Sequence, residues 1–143
     1  MATVFDAAKY ILAKCGALST MKLQKLCYYA QAWSLVWDDQ PLFDEEFEAW
    51  RNGPVCRELF QATKGKFSVT AEDEDGDFNK LTDNQKDTID KVLETYGDKS
   101  AQWLSQLTHI EDPWNEARRG LPDGIGTDFV ISKESMAIYY GGL

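Results

Sequence analysis

The sequence predicts a mainly α fold: a compact single domain of about six helices around a central buried helix, with a small β-strand or hairpin element. Two observations carry this prediction. Apolar residues recur at helical spacing along most of the chain, and one long segment has two apolar faces, as a helix packed between neighbours does. The chain has 143 residues, of which 43% are hydrophobic, enough for one core and too few for two ordinary domains. We therefore expect residues 1–143 to form one domain.

Two helices are predicted at the start of the chain. The first has an apolar face followed by a glycine suited to a helix end: Val4, Ala8, Ile11, Leu12, Cys15 and then Gly16. The second follows Ser19 or Thr20, either of which can cap it, and runs to Trp37. Its broad stripe comprises Leu23, Leu26, Cys27, Ala30, Trp33 and Trp37, and its second stripe Met21, Tyr28, Ala32 and Leu35. Gln24 and Gln31 lie on one boundary between the stripes, and Lys22 and Lys25 on the other. Two stripes place this helix at the centre, and Cys15 and Cys27 are predicted core residues.

A short strand with an acidic outer face is predicted in FDEEFEAW. Alternation directs Phe43, Phe47 and Ala49 inward and leaves Asp44, Glu46, Glu48 and Trp50 outside. Asn52-Gly53-Pro54 predicts a turn, because glycine accepts positive φ and proline fixes its own φ. A short helix, roughly Cys56 to Thr63, is expected next.

Residues 66–80 are predicted to form a mobile acidic loop, since carboxylates occupy five of the six positions 72–77 and like charges repel. Further helices are predicted from Thr82, which forms a capping box with Gln85, and after Ser100. Asp112 and Pro113 suit the cap and first turn of another helix, and Ser132 the cap of the last. The glycine-rich GLPDGIG between these last two is expected to be a loop.

The composition narrows the classes of function. A net charge of −9 opposes autonomous binding to nucleic acid, because cationic side chains supply most of that affinity. No stretch approaches the length of a membrane span, and the N-terminal segment lacks the pattern of a signal peptide, so we expect a cytoplasmic protein. The three cysteines have no disulfide or zinc spacing and are expected to be reduced.

The sequence contains few of the residue patterns that catalysis or cofactor binding requires. A cysteine nucleophile at Cys56 would need a base, and the single histidine is His109, although Arg57 could lower the pKa of the thiol. The acidic loop lacks the glycine and glutamate of a calcium-binding EF-hand, and no phosphate-binding glycine pattern occurs. We expect no enzyme, no cofactor and no metal. His109 is predicted to cap or hydrogen-bond, Trp114 to pack, and Arg118 and Arg119 to pair with carboxylates.

A surface for another protein is the remaining candidate site. It combines the outer face of the strand with the corner beyond it: Asp44, Glu46, Glu48, Trp50, Arg51, Asn52 and Arg57. Tryptophan and arginine are frequent binding anchors, and carboxylates around them would steer a basic partner. An ordinary solvated strand with a half-buried Trp50 is the alternative.

Three blocks together, MKLQKLCYYAQAW, PLFDEEFEAWRNGPV and LSQLTHIEDPWNEAR, resemble the Panacea domain, or SocA-like antitoxin family, which includes phage-associated GepA-type members. The resemblance runs from about residue 4 to residue 140. The structural positions within these blocks are Leu23, Leu26, Tyr29, Trp33, Gly53, Pro54, His109, Pro113 and Trp114. Cys56 and Arg57 depart from the GPVV-type corner of many members.

The resemblance implies a non-enzymatic antitoxin of a two-gene toxin–antitoxin pair, often carried on prophages. It implies neutralisation of a cognate protein toxin by direct contact, the toxin being, for example, a small alarmone synthetase-like enzyme that blocks translation. Two alternatives remain open. One is an adaptor that delivers a toxin to a bacterial protease through a second surface at residues 66–80, and the other is a thiol enzyme that uses Cys56.

Overall fold

In the computed structural model, which describes residues 2–143, the fold consists of seven α-helices and two small antiparallel sheets. The helices are α1 Val4–Cys15, α2 Thr20–Trp37, α3 Arg57–Thr63, α4 Asp83–Tyr96, α5 Ala101–His109, α6 Asp112–Ala117 and α7 Lys133–Gly141. The strands are β1 Leu18–Ser19, β2 Phe47–Trp50, β3 Gly53–Cys56, β4 Ser68–Val69 and β5 Val130–Ile131. The predicted mainly α domain with a small hairpin is confirmed. None of the helices in residues 2–143 has the length and hydropathy needed to cross a membrane.

The centre of the fold is α2. Its residues 23–32 are buried without interruption, and the helix packs against α1, α4, α5, α7 and β3. Ser19 caps its first turn, because the hydroxyl accepts a hydrogen bond from the backbone N–H of Lys22. The prediction of a central helix with two apolar faces is therefore confirmed.

Two glutamines of α2, predicted at the boundary between stripes, lie in the interior. Gln31 accepts from the backbone N–H of Leu42 at 2.7 Å and donates to the carbonyl oxygen of Phe43 at 2.8 Å. Gln24 likewise accepts from the backbone N–H of Cys56 at 2.8 Å and donates to its carbonyl oxygen at 3.1 Å. Buried backbone groups need partners, so the Gln31 amide serves backbone that lies outside any strand, and the Gln24 amide serves the last residue of the edge strand β3.

The predicted strand is shorter than expected and belongs to a hairpin. β2 is the middle strand of the order β3-β2-β5, with Phe47 opposite Cys56 and Trp50 opposite Gly53. β3 was not predicted, because glycine and proline disfavour strands; Pro54 is accommodated since β3 is an edge strand. Residues 43–46 lie outside the strand, and Glu45 there accepts a hydrogen bond from the backbone N–H of Val4 at the start of α1.

Residues 66–80 follow a defined path along α1. β4 pairs with β1, and single-turn 3₁₀ helices occupy Ala71–Asp73 and Phe78–Lys80. The backbone N–H of Asp77 donates to Asp6 at 2.7 Å, and Gly76 packs so closely on the Phe5 carbonyl that a Cβ would overlap it. Mobility of this acidic segment stays a prediction.

Two local expectations are wrong. Cys15 is exposed, because the last turn of α1 extends beyond the core, whereas Cys27 is buried as predicted. The N-cap of α6 is Glu111, not Asp112, which lies within the helix together with Pro113. Glu111 accepts hydrogen bonds from the hydroxyls of Tyr29 and Tyr140, each at 2.7 Å, and thereby joins α2, α6 and α7.

Candidate partner-binding site on the hairpin

The hairpin, formed by β2, β3 and the turn between them (residues 47–56), carries a connected group of polar and aromatic side chains. The indole N–H of Trp50 donates to Glu48 at 2.7 Å, and Arg57 forms an ion pair with Glu48 at 3.0 Å. The guanidinium of Arg57 lies 5.5 Å from the centroid of the Trp50 ring. The Phe60 ring packs edge-on against Trp50, with 4.9 Å between the two ring centroids. Three of the predicted site residues are therefore in contact, and the charge of Glu48 is already paired within the chain.

The acidic stripe predicted along the strand is divided. Asp44 and Glu46 are exposed, but they precede β2 and lie at the end of the strand away from the turn. Glu48 is half-buried beside Trp50. Asp44 and Glu46 are thus available to solvent, whereas Arg51 and Asn52 lie at the turn on the other side of Trp50.

The turn is held from behind by α5 and α6. The indole N–H of Trp114 donates to the Trp50 carbonyl oxygen at 2.8 Å, and Trp114 is fully buried. A ring nitrogen of His109 lies 2.9 Å from the Arg51 carbonyl oxygen, while the other contacts the Ser105 carbonyl oxygen. Both side chains therefore position the backbone of the turn, in keeping with the hydrogen-bonding and packing roles predicted for them.

The other structural positions surround this arrangement. Leu23, Leu26 and Tyr29 are buried on α2, Trp33 donates its indole N–H to the Tyr96 hydroxyl, and Pro113 is buried in the first turn of α6. Gly53 has φ of +114°, which favours glycine, and a Cβ there would lie 2.7 Å from Cε of Lys25. The corner is therefore closed against the central helix.

Arg118 also supports the hairpin, and the prediction that it pairs with a carboxylate is wrong. Only 1% of its surface is exposed, and it donates to the carbonyl oxygens of Ala49 and Pro122, each at 2.9 Å. Its guanidinium lies 4.5 Å from the Trp114 ring. Backbone carbonyls therefore pair both terminal nitrogens of this buried cation, whereas among the described residues its Nε has no hydrogen-bond partner and no carboxylate lies within ion-pair distance. Arg119 forms no ion pair within residues 2–143 and lies 4.7 Å from the Phe129 ring.

Cys56 is in the wrong environment for a nucleophile. Its side chain is fully buried at the end of β3, and burial raises the pKa of the thiol to about 12. Arg57 does not counter this effect, because its guanidinium is paired with Glu48. A thiolate, the reactive form, is therefore disfavoured at neutral pH.

A cavity of about 460 Å³ opens beside Trp50, and we call it the Trp50 cavity. Trp50, Arg51 and Asn52, three of the predicted site residues, line it. Met21, Val55 and Phe60 add apolar walls, and the loop at Gly126 and Thr127 closes one side. The size falls in the range of ligand pockets, roughly 300–1,000 Å³. The structure thus combines the predicted corner with a concavity that sequence reasoning missed.

Lys25 also lines the Trp50 cavity, and because this residue is almost completely buried we call its part of the lining the floor. It is 1% exposed, and its ammonium donates to the Pro54 carbonyl oxygen at 3.1 Å. Burial lowers the pKa of this lysine to about 7. The sequence gives one indication of this position, namely a lysine in the middle of a long, mostly apolar helix. Periodicity places that lysine at the boundary between the two apolar stripes and so does not predict its burial.

Metal ligation finds no support in the described part of the chain. Residues 2–143 contain no group of three or more histidine, cysteine, aspartate or glutamate side chains placed to hold a metal ion.

A hairpin that a rigid helical scaffold holds at the surface, with tryptophan and arginine on it, has the features of a protein-binding module. The model of the family described as Antitoxin SocA-like, Panacea domain, matches residues 23–115, which extend from α2 into α6 and include the hairpin. The chain belongs to this antitoxin family. It is 30% identical over 135 residues to Antitoxin SocA of Caulobacter vibrioides (strain NA1000 / CB15N), a match that covers 83% of this chain and 72% of that protein. No solved structure matches the chain.

Proposed function

We propose that this chain is the antitoxin of a two-gene toxin–antitoxin pair and neutralises its cognate protein toxin by direct contact through the hairpin. Membership of an antitoxin family implies a toxin partner. The observation that carries the choice of surface is the fixed position of Trp50, which contacts Glu48, Arg57 and Phe60 and borders the Trp50 cavity. Tryptophan is among the residue types enriched at binding hot spots, which cluster in well-packed pockets.

The backbone of the hairpin is already held in place before any partner binds, which supports its use as the binding surface. Trp114 and His109 hold the carbonyl oxygens of the turn, and Arg118 holds the carbonyl oxygen of Ala49. A partner that docks here therefore orders little of the chain, and the cost of immobilising side chains on binding is reduced.

The chemistry of the toxin follows from the charge of the antitoxin. The chain carries −9, and Asp44 and Glu46 are exposed beside the hairpin, so a toxin with a basic surface is favoured. Basic surfaces commonly bind RNA or nucleotides. We propose a translation-blocking toxin, such as a small alarmone synthetase-like enzyme, whose substrate-binding surface is masked by the hairpin. No catalytic role is assigned to the antitoxin.

Trp50→Ala tests the surface. We expect toxin affinity to fall at least about tenfold, because truncating a hot-spot tryptophan removes its buried contact area. The measurements are calorimetric titration with the toxin encoded beside this gene and growth of cells that express both proteins. Growth should fail with the variant, whereas wild type restores it.

Trp37→Ala is the matched control. Trp37 is 47% exposed and lies at the opposite end of α2 from Met21, which lines the Trp50 cavity. This variant should bind and protect like wild type. Equal losses in both variants, or full protection by a folded Trp50→Ala protein, would contradict the proposed surface.

A further inference from the structure

The Trp50 cavity has a charge opposite to that of the molecule. The chain contains 24 acidic residues and carries −9, yet none of the residues that line the cavity is an aspartate or glutamate. Lys25 and Arg51 both line it. An anionic group inside this cavity would therefore meet cations and no lining carboxylate.

The hydrogen-bonding capacity of Lys25 is incompletely used. A lysine ammonium has three N–H donors, and in the structure one is bound, by the Pro54 carbonyl oxygen. The Gln24 side chain, which also lines the cavity, makes its hydrogen bonds with both backbone groups of Cys56 and none with Lys25. Since a buried ammonium is costly without partners, an acceptor brought by a ligand would be strongly favoured.

The walls above Lys25 are apolar and aromatic. Met21 is 39% exposed at the rim, and Trp50, Val55 and Phe60 supply the remaining apolar surface. A ligand matched to this site has one small anionic end for the floor and an apolar body for the walls. A volume of about 460 Å³ accommodates a body of several carbon atoms.

We propose that the Trp50 cavity binds a monocarboxylic acid with an apolar chain, whose carboxylate accepts hydrogen bonds from Lys25 while the chain packs against Met21, Trp50 and Phe60. Two unused N–H donors of one ammonium match the two oxygens of a carboxylate. A phosphate group has more oxygens and a higher charge, and such groups are usually held by several backbone N–H groups or a helix N-terminus. This ligand site goes beyond toxin neutralisation and does not depend on it.

The first test titrates octanoate into the purified chain and follows binding by calorimetry and tryptophan fluorescence. Octan-1-ol, which has the same chain length without the charge, is the matched probe. We expect octanoate to bind at least about tenfold more tightly than octanol, because hydrogen bonds to charged groups are the stronger ones. Equal affinity for the two probes, or no binding of octanoate, would overturn the proposal.

Lys25→Met tests whether the lysine, and not the apolar walls of the cavity, gives the preference for octanoate. In this variant the preference for octanoate should disappear, while octanol affinity stays within about twofold of wild type because the apolar walls are unchanged. Retention of the octanoate preference would contradict the role of Lys25. Circular dichroism establishes that the variant is folded.

If Lys25→Met does not fold, the pH dependence of octanoate binding to the wild-type chain tests the same role of Lys25. Octanoate is ionised throughout the range from pH 6.5 to 8.5, whereas Lys25 loses its proton as pH rises through about 7. The other lining cation is Arg51, and His109 on α5 contacts the Arg51 carbonyl oxygen. Octanoate affinity should fall several-fold across this range and octanol affinity should not; a flat octanoate profile would overturn the proposal.

Discussion

At the scale of single residues, Lys25 is the most unusual position in the chain. Its side chain lies close to the hairpin and α5, since a Cβ added at Gly53 would contact both Lys25 and Thr108. The ammonium has the Pro54 carbonyl oxygen as partner, and burial lowers the pKa from 10.5 to about 7. Folding therefore disfavours the charged form of this lysine.

The pH dependence of stability follows from this shift. Between pH 7 and the ordinary lysine pKa of 10.5, the unfolded chain holds a proton on Lys25 that the folded chain has released. Stability attributable to Lys25 therefore rises with pH in this window, by at most about 1.4 kcal/mol per pH unit. From pH 7 to 9, wild type should gain about 2 kcal/mol relative to Lys25→Met.

Urea unfolding of wild type and Lys25→Met at pH 7, 8 and 9 measures this gain. The difference between the two proteins isolates Lys25, because every other titrating group is common to both. If the free energies of unfolding of the two proteins change with pH in parallel over this range, the pKa of Lys25 is not lowered by folding.

Gly53 gives a second test at the residue scale. Its φ of +114° is unfavourable for other residues, and a Cβ would lie 2.7 Å from Cε of Lys25. Gly53→Ala should lower the free energy of unfolding by about 1–3 kcal/mol. Gly124→Ala, where a Cβ would meet nothing within 4 Å, is the control and should change it by less than about 0.5 kcal/mol. Equal effects would contradict the closed corner.

At the scale of elements, α2 does more than fill the core. Its glutamines pair backbone groups that have no partner in a sheet, at Leu42 and Phe43 outside the strands and at Cys56 on the edge strand β3. Its tyrosine at position 29 reaches the N-cap of α6. The central helix therefore fixes the path of the chain on both sides of the hairpin.

Gln31→Leu tests this role of the central helix. The substitution preserves helix propensity and approximate size but leaves the backbone N–H of Leu42 and the carbonyl oxygen of Phe43 without their partner. Each buried group left unpaired costs about 1–3 kcal/mol, so we expect a loss of about 2–4 kcal/mol in thermal or urea unfolding. Gln102→Leu, exposed on α5, should be nearly neutral. A stable Gln31→Leu protein would indicate that water replaces the amide.

At the scale of the whole molecule, charge and fold have separate roles. In the complex that we propose, the net charge of −9 supplies a long-range field for a basic toxin, and the hairpin is the surface of contact. The field is screened by salt, whereas buried contacts are much less affected.

Asp44→Lys combined with Glu46→Lys tests the steering role. The double variant should reduce the rate of toxin association about threefold or more at low salt, with little change in dissociation. Asp87→Lys combined with Glu94→Lys, on exposed positions of α4, makes the same change in net charge away from the hairpin. Stopped-flow measurements that find equal effects would assign steering to total charge and not to these two residues.

The elements and the site differ in how far the sequence predicts them. The capping box of Thr82 and Gln85 and the stripes of α2 are local patterns, and the structure confirms the helices they predict. β3 depends on pairing with β2, and the partners of Arg118 come from backbone up to 69 residues away. Such contacts are set by packing, which local patterns do not record.

By itself the sequence determined a mainly α domain with a central helix, a short strand ending at Trp50 with a turn after it, and a resemblance to an antitoxin family, because amphipathic periodicity, turn chemistry and motif order are local properties. Only the tertiary structure decided that Cys56 is buried, that Glu48 is paired with Arg57, and that Lys25 forms the floor of a cavity. Burial and pairing depend on which distant elements meet, and they set the pKa values and the free surface with which the molecule can bind a partner.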